Sequence, residues 1–198
     1  MHKSLLIMFI VFVTVVCTAC VNRFAVQELN NNAKELLSQG KVDAAIARLE
    51  SSIDLDDTVF ESHYNLAVAY MEAKKYDKAL ASLEKVKELK PDFADTYHSI
   101  AVCNEEKAYE IITGENQDKE EAKENQETPE NQDSENRELT YEDKAKISEY
   151  FTTAIDNYNT YLTKKDNAQD KDKVEQKINE LNSKLKEYTD SNENQENE

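Results

Sequence analysis

The sequence predicts an all-α chain, arranged as a short α-solenoid of about three helix–turn–helix units, and three observations support this. Small residues recur every 34 positions, so that Ala33, Ala67 and Ala101 fall in register. The chain has only two Gly and two Pro, and no segment alternates apolar and polar residues with period two. A repeat of this length is typical of a helix pair that buries its apolar face only by stacking on its neighbours.

Residues 1–19 have the features of a signal peptide. Lys3 supplies a positive start, an apolar run extends from Leu5 to Val16, and Thr18-Ala19-Cys20 closes it with small residues and a cysteine. This ending resembles the lipobox of bacterial lipoproteins, in which the signal is cleaved before a cysteine that then carries lipid. Cys17 departs from it, because Leu or Val is usual there.

The lipobox resemblance implies that Cys20 is lipidated and that residues 20–25 form a tether. The domain would then be held on a bacterial membrane in the cell envelope, on the extracytoplasmic side. The alternatives are a simple secretory signal and an uncleaved anchor, although the apolar stretch is shorter than the roughly 20 residues that a spanning helix needs.

The second repeat unit, from Phe60 to Pro91, shows the pattern most fully. Its first helix would carry a large residue, Leu, a small residue and Tyr, and its second helix an aromatic residue, Ala, a large apolar residue and a closing Pro. These positions are His63, Leu66, Ala67 and Tyr70, then Tyr76, Ala79, Leu83 and Pro91. This pattern resembles the tetratricopeptide repeat (TPR), in which small residues such as Ala67 and Ala79 let the two helices cross closely.

The flanking units match the same family less completely. The first unit begins at Val26 and departs from the pattern at Asn32 and Asp57. The third begins near Tyr97, but its second helix matches only around Ala154, which places 41 inserted residues between its two helices. The repeats and the first helix of unit three thus occupy residues 26–112.

Residues 113–139 are predicted to be a disordered, acidic, low-complexity insertion. Between 115 and 138 there are ten acidic side chains, three basic ones and Ala122 as the only apolar one, too little apolar surface to offset the ordering entropy. An acidic tail at 189–198 is predicted to behave in the same way. The alternative for the insertion is an acidic bait for a basic partner or a cation.

Residues 140–188 are predicted to hold the second helix of repeat three and a final capping helix. Thr140 with Asp143 resembles a capping box. The final helix, from about Gln169 to Tyr188, has one apolar face and a polar remainder, as the last unit of a repeat stack requires. A coiled-coil dimer seam is the alternative for that face. The two apolar stripes are Ile147, Phe151, Ala154, Tyr158 and Leu162, then Val174, Ile178, Leu181, Leu185 and Tyr188.

Composition and spacing argue against catalysis and against nucleic acid. A net charge of −17 is opposite to the clustered Lys and Arg that bind phosphates, and two glycines do not make a phosphate-binding loop. His98 and Cys103 are five residues apart, about 140° around a helix, so they do not face a common ligand. We expect no enzyme activity, metal site, cofactor or small-molecule substrate, and we expect Cys103 to be an inert buried side chain.

The family resemblance implies that the first helices of successive repeats line a groove that holds a protein or peptide partner. The candidate groove residues are Asn30, Lys34, Leu37, Tyr64, Asn65, Val68, Met71, His98, Ser99 and Val102. Asp95 and Ser99 stand where family members that clamp a terminal carboxylate need basic residues. The hypothesis is an extended or helical segment held by Tyr64, Val68 and Met71, with amide hydrogen bonds from Asn30 and Asn65; the alternative is that these are ordinary surface residues.

The predicted function is therefore that of a membrane-anchored protein–protein interaction module, and resemblance to anchored repeat lipoproteins suggests an accessory role in cell-envelope assembly. The alternative is a structural subunit of a stable oligomeric envelope complex. Such a subunit would pack through its convex face or its C-terminal helix.

Overall fold

The computed structural model describes residues 22–114, 139–165 and 169–193, with side chains to Thr189. All regular secondary structure in these ranges is α-helical, which confirms the all-α prediction. The helices are α1 (22–38), α2 (Val42–Leu55), α3 (Phe60–Glu72), α4 (Tyr76–Leu89), α5 (Ala94–Thr113), α6 (Tyr141–Lys164) and α7 (Lys171–Glu193). The chain divides into two compact units after Pro91, so α1–α4 form unit 1 and α5–α7 form unit 2.

Unit 1 consists of two helix pairs whose contacts are made by the repeating small residues. Ala33 and Ala45 in the first pair and Ala67 and Ala79 in the second are all fully buried. A buried alanine at a helix crossing lets the two backbones approach closely, and a larger side chain would force them apart. The 34-residue period therefore predicted the core of this unit correctly.

The two turns inside the helix pairs of unit 1 have the same backbone geometry. Gly40 and Lys74, 34 positions apart, both adopt the left-handed conformation, with φ of 71° and 55°. The next residue in each turn donates its N–H back into the preceding helix, from Lys41 to the carbonyl of Leu36 (2.9 Å) and from Lys75 to that of Tyr70 (2.8 Å). This motif satisfies carbonyls that a helix end leaves without partners.

Unit 2 is built from longer helices around one apolar core. Its helices α5, α6 and α7 have 20, 24 and 23 residues, against 13 or 14 for α2, α3 and α4. The predicted capping box is confirmed: Asp143 donates its N–H to Thr140 Oγ1, and Thr140 donates its N–H to the Asp143 carboxylate, both at 3.1 Å. The buried core residues are Ala101, Ala108, Ile147, Phe151, Ala154, Ile155, Tyr158, Tyr161, Val174 and Leu181.

The structure moves four of the expected boundaries. Residues 22–25, expected in the tether, already belong to α1. Thr113, expected in the insertion, is the last residue of α5, and Leu139, expected there too, packs against the core of unit 2. Helix α7 continues to Glu193, so 189–193 are helical rather than a disordered tail. Neither 22–25 nor 189–193 contains Gly or Pro, and without such a residue the helices simply continue.

The predicted signal peptide, Cys20, the acidic stretch 115–138 and residues 194–198 lie outside the described residues. Within the described ranges, no helix combines the length and the apolar character needed to cross a membrane.

Candidate functional site

A buried cluster of polar side chains connects the helices α1, α2 and α3 of unit 1. Asn30 of α1 is 7% exposed, and Ser52 of α2 and Ser62 of α3 are fully buried. Asn30 Nδ2 donates to the carbonyl of Val26 (2.9 Å) and to both serine hydroxyls (2.8 Å each). The two hydroxyls lie 2.9 Å apart. All of these groups are satisfied internally, which matters because an unpaired buried polar group costs about 1–3 kcal/mol.

This Asn30 cluster (Asn30, Ser52 and Ser62) also orients Asn65. Asn65 Nδ2 donates to Asn30 Oδ1 at 2.7 Å. Because the Nδ2 group of Asn30 is used within the cluster, its Oδ1 is the atom left to accept from Asn65, and this bond holds the Asn65 amide in one orientation. Asn30, expected to contact a ligand, therefore lies inside the unit, while Asn65 stays half-buried at its surface.

The other candidate residues of unit 1 lie around Asn65 in two groups. Tyr64, Val68 and Met71 are half-buried and recur at helical spacing along one stripe of α3. On α1, Leu37 is half-buried and Lys34 is exposed. The structure thus brings together, on unit 1, an apolar stripe bordered by a fixed amide.

The three candidate residues of unit 2 are drawn toward its interior. Ser99 is 5% exposed, and Val102 is half-buried against the core of the unit. The His98 ring makes edge contacts with Tyr158 and Tyr161 of α6, with centroids 5.5 and 5.1 Å apart. Burial lowers the pKa of His98, and nearby carboxylates only partly offset this effect.

Unit 2 also contains a buried carboxylate that the sequence analysis did not single out. Glu105 of α5 is 6% exposed; it accepts hydrogen bonds from the Tyr158 hydroxyl and from Lys177 Nζ, both at 3.0 Å. Burial, reinforced by the Glu105 charge, raises the pKa of Tyr158. The signal was present in the sequence, since Glu105 falls between Ala101 and Ala108 on the apolar stripe of α5.

The same carboxylate affects Lys177 of α7. Burial acts to lower the pKa of Lys177, but its hydrogen bonds and charge interactions with Glu105 and, to a smaller extent, Glu180 together outweigh burial, so the pKa is raised. Glu105 therefore links all three helices of unit 2 through charge-assisted hydrogen bonds.

Neither unit shows an arrangement suited to metal chemistry in the described ranges. Among residues 22–114, 139–165 and 169–193, no group of three or more His, Cys, Asp or Glu side chains could hold a metal ion. Cys103 is a fully buried cysteine, as expected from its position in an apolar helix.

Comparison with known proteins identifies the repeat. A family model described as tetratricopeptide repeat matches residues 36–101. A 74-residue segment is 28% identical to the tetratricopeptide repeat and J domain-containing co-chaperone DNJ1 of Cryptococcus neoformans var. grubii. That segment is 37% of this chain but only 14% of the relative, so the chain spans a small part of that protein.

Two solved structures of RPAP3 repeat domains are similar in fold. The first TPR of Spaghetti (RPAP3), bound to the HSP90 peptide SRMEEVD, has a TM-score of 0.55 and 14% identity, covering 81% of this chain and 92% of that one. The first TPR domain of human RPAP3 gives a TM-score of 0.56 and 15% identity, with coverages of 82% and 95%. At these identities the likeness establishes the helical repeat fold alone.

Proposed function

This chain is a tetratricopeptide-repeat protein in residues 36–101, and from that premise we infer that it binds a partner protein through the first-helix face of unit 1, meaning Lys34, Leu37, Tyr64, Asn65, Val68 and Met71. The class of function, protein–protein interaction, is supported by the repeat itself and by the peptide-bound RPAP3 domain of the same fold.

The choice of this face as the binding surface rests on one observation. Tyr64, Val68 and Met71 stay half-buried on α3, whereas Leu66, on the opposite side of the helix, is buried in the core. Half-buried aromatic and aliphatic side chains beside an oriented amide provide apolar contact and directional hydrogen bonding together, which is what an extended or helical peptide segment requires.

The cluster around Asn30 also bears on which part of a partner would bind. A terminal carboxylate needs several convergent N–H donors, and the Asn30 amide donates only to groups within unit 1. Lys34 is the one cation that the first-helix face of unit 1 offers. We therefore propose an internal segment of the partner, rather than its C-terminus, as the ligand.

Membrane attachment completes the proposed function. Lipid on Cys20 would hold the chain on the extracytoplasmic side of a bacterial membrane, since each buried CH₂ contributes about 0.8 kcal/mol and several acyl chains give durable anchoring. An anchored interaction module suits an accessory role in cell-envelope assembly. Replacing Cys20 by Ala should move the protein from the membrane pellet to the soluble fraction, and a variant that stays in the pellet contradicts the anchor.

The alternative, a structural subunit packing through its C-terminal helix, has less support. The apolar residues Val174 and Leu181 of α7 are buried within unit 2, and the exposed positions of α7 are polar or charged. Light scattering on the chain without residues 1–19 separates the two ideas, because a concentration-independent oligomer would favour the subunit.

A crosslinking pull-down from intact envelopes tests the binding face. The natural chain is compared with an Asn65→Ala/Val68→Glu variant, which removes the oriented amide and puts a charge on the apolar stripe. Ala81→Glu is the matched control, because Ala81 is exposed on α4 and the change adds the same charge elsewhere on unit 1. We expect a partner captured by the natural chain and the control to be lost from the double variant. If the natural chain, the double variant and the control capture the partner equally, the partner binds at another surface.

A further inference from the structure

Large exposed apolar side chains are rare in the described part of the chain, and unit 1 holds two of them. Phe24 of α1 is 72% exposed and Leu55 of α2 is 43% exposed; Tyr141, at 55%, belongs to unit 2. A single exposed apolar side chain needs no explanation. Two exposed apolar side chains at the same end of a small unit indicate a surface that contacts a partner.

Phe24 and Leu55 lie at the same end of unit 1. The turn at Gly40 makes α1 and α2 antiparallel, so the start of α1 lies beside the end of α2. Contacts confirm this, since the Ser52 hydroxyl donates to the carbonyl of Val26 at 3.5 Å. Phe24 precedes Val26 by two residues and Leu55 follows Ser52 by three, within about one helical turn in each case.

We propose that this end, the Phe24 end (Phe24 and Leu55), lies against the surface of the lipid bilayer in which Cys20 is anchored. The proposal rests on the membrane attachment proposed above. Cleavage before Cys20 would place the lipidated residue four positions ahead of Phe24. Four residues span at most about 14 Å, so a lipid on Cys20 keeps Phe24 close to the bilayer, whatever direction the chain takes.

The chemistry of the Phe24 end selects the kind of lipid. An aromatic ring is well suited to the boundary between headgroups and acyl chains. Arg23 is next to Phe24 in sequence and Lys85 interacts with Asp57, whereas Asp54, Asp56 and Asp57 flank Leu55, so these carboxylates outnumber the two cations. Anionic headgroups would be repelled by these carboxylates, so the surface that fits is zwitterionic. Contact between the Phe24 end and the bilayer would fix the orientation of unit 1 relative to the membrane. Without this contact, unit 1 would rotate freely about its lipid attachment.

Tryptophan fluorescence tests the proposal directly, because the natural chain contains no Trp. The lipidated full chain carrying Phe24→Trp is reconstituted in phosphatidylcholine vesicles, with or without lipid brominated in its acyl chains. Ser38→Trp is the matched control: Ser38 is exposed at the other end of α1, about 21 Å away at 1.5 Å per residue. Vesicle flotation, measured on the same samples, reports the anchor independently.

We expect brominated lipid to reduce the emission of Trp at position 24 at least twofold and to leave that at position 38 unchanged. A chain that floats with the vesicles while position 24 is not quenched overturns this inference and leaves the anchor intact. If the chain does not float with the vesicles, the proposed lipid anchor is wrong, and this inference is wrong with it. Emission at position 24 that shifts to the blue with protein concentration, without quenching, would assign the Phe24 end to a second copy and also overturn the proposal.

Discussion

The two units of this chain connect neighbouring helices by different polar chemistry. In unit 1 the buried connection is neutral, from Asn65 to Asn30 and on to two buried serines, and the charged one, from Tyr70 to the exposed Glu50, is only partly buried. In unit 2 it is charged, with Glu105 accepting from Tyr158 and from Lys177. The contribution of a neutral network to folding stability changes little with ionic strength or pH, whereas the contribution of a charged network depends on both.

The distribution of charge along the sequence follows the same division. Residues 22–91 carry 10 basic and 12 acidic side chains, and residues 92–198 carry 13 and 29. Unit 1 is therefore close to neutral, and it contains the proposed binding face. The acidic excess belongs to the half of the chain that includes unit 2, where internal ion pairs hold the helices.

Among the substitutions considered, removing the carboxylate of Glu105 should lower the free energy of unfolding the most. Glu105→Ala leaves the Tyr158 hydroxyl buried without the Glu105 acceptor and leaves Lys177 with only its exposed partner Glu180. We expect a loss of about 3 kcal/mol, at the lower end for a broken buried pair because the Lys177 side chain is 36% exposed and regains water. The urea midpoint measures it. Glu149→Ala, at an exposed position of α6, should change the midpoint little; equal losses in both would mean that Glu105 has no special role.

Removing the central amide of unit 1 should cost somewhat less. Asn30→Ala deletes the donor to Ser52 and Ser62 and the acceptor of Asn65, but the two serines can still bond to each other. We expect a loss of about 2 kcal/mol, insensitive to added salt, whereas the loss in Glu105→Ala should shrink in 1 M salt. Asn31→Ala, at an exposed neighbouring position, is the control. A loss for Asn30→Ala that varies with salt as strongly as that for Glu105→Ala would contradict the contrast between the units.

A pH titration should separate the units further. Because burial lowers the pKa of His98, the unfolded chain binds its proton more readily than the folded one, and stability falls as pH drops below about 6.5. We expect the free energy of unfolding to decrease between pH 7 and pH 5. His98→Phe keeps a ring against Tyr158 and Tyr161 and should reduce this dependence, measured by urea unfolding at each pH. An unchanged pH profile would show that His98 is not the titrating group.

The smallest effects concern the paired turns of unit 1. Gly40→Ala should cost about 1 kcal/mol, because a Cβ there meets nothing within 4 Å and only the left-handed backbone opposes it. Lys74→Gly relieves the same strain at the equivalent turn and should gain less than 1 kcal/mol. Opposite shifts in melting temperature would confirm that the two turns share one geometry. Shifts of the same sign would show that they do not.

Local patterns were enough to locate the helices and the buried stripes. Ala33, Ala67 and Ala101, equivalent in the 34-residue period, are all fully buried. The capping box at Thr140 marked the start of α6. These features depend on residues within one or two helical turns, where a period of 3.6 decides which side chains face the core.

The sequence by itself thus determined the fold class, the repeat and the identity of the core alanines. Only the tertiary structure decided the polar partners: it turned Asn30 inward, placed His98 against Tyr158 and Tyr161, and paired Glu105 with Lys177, 72 residues away. Apolar burial requires only that a side chain face inward, and periodicity shows that. A hydrogen bond or ion pair requires two particular atoms to meet at about 3 Å, and for residues so far apart in the chain that meeting depends on how the helices pack.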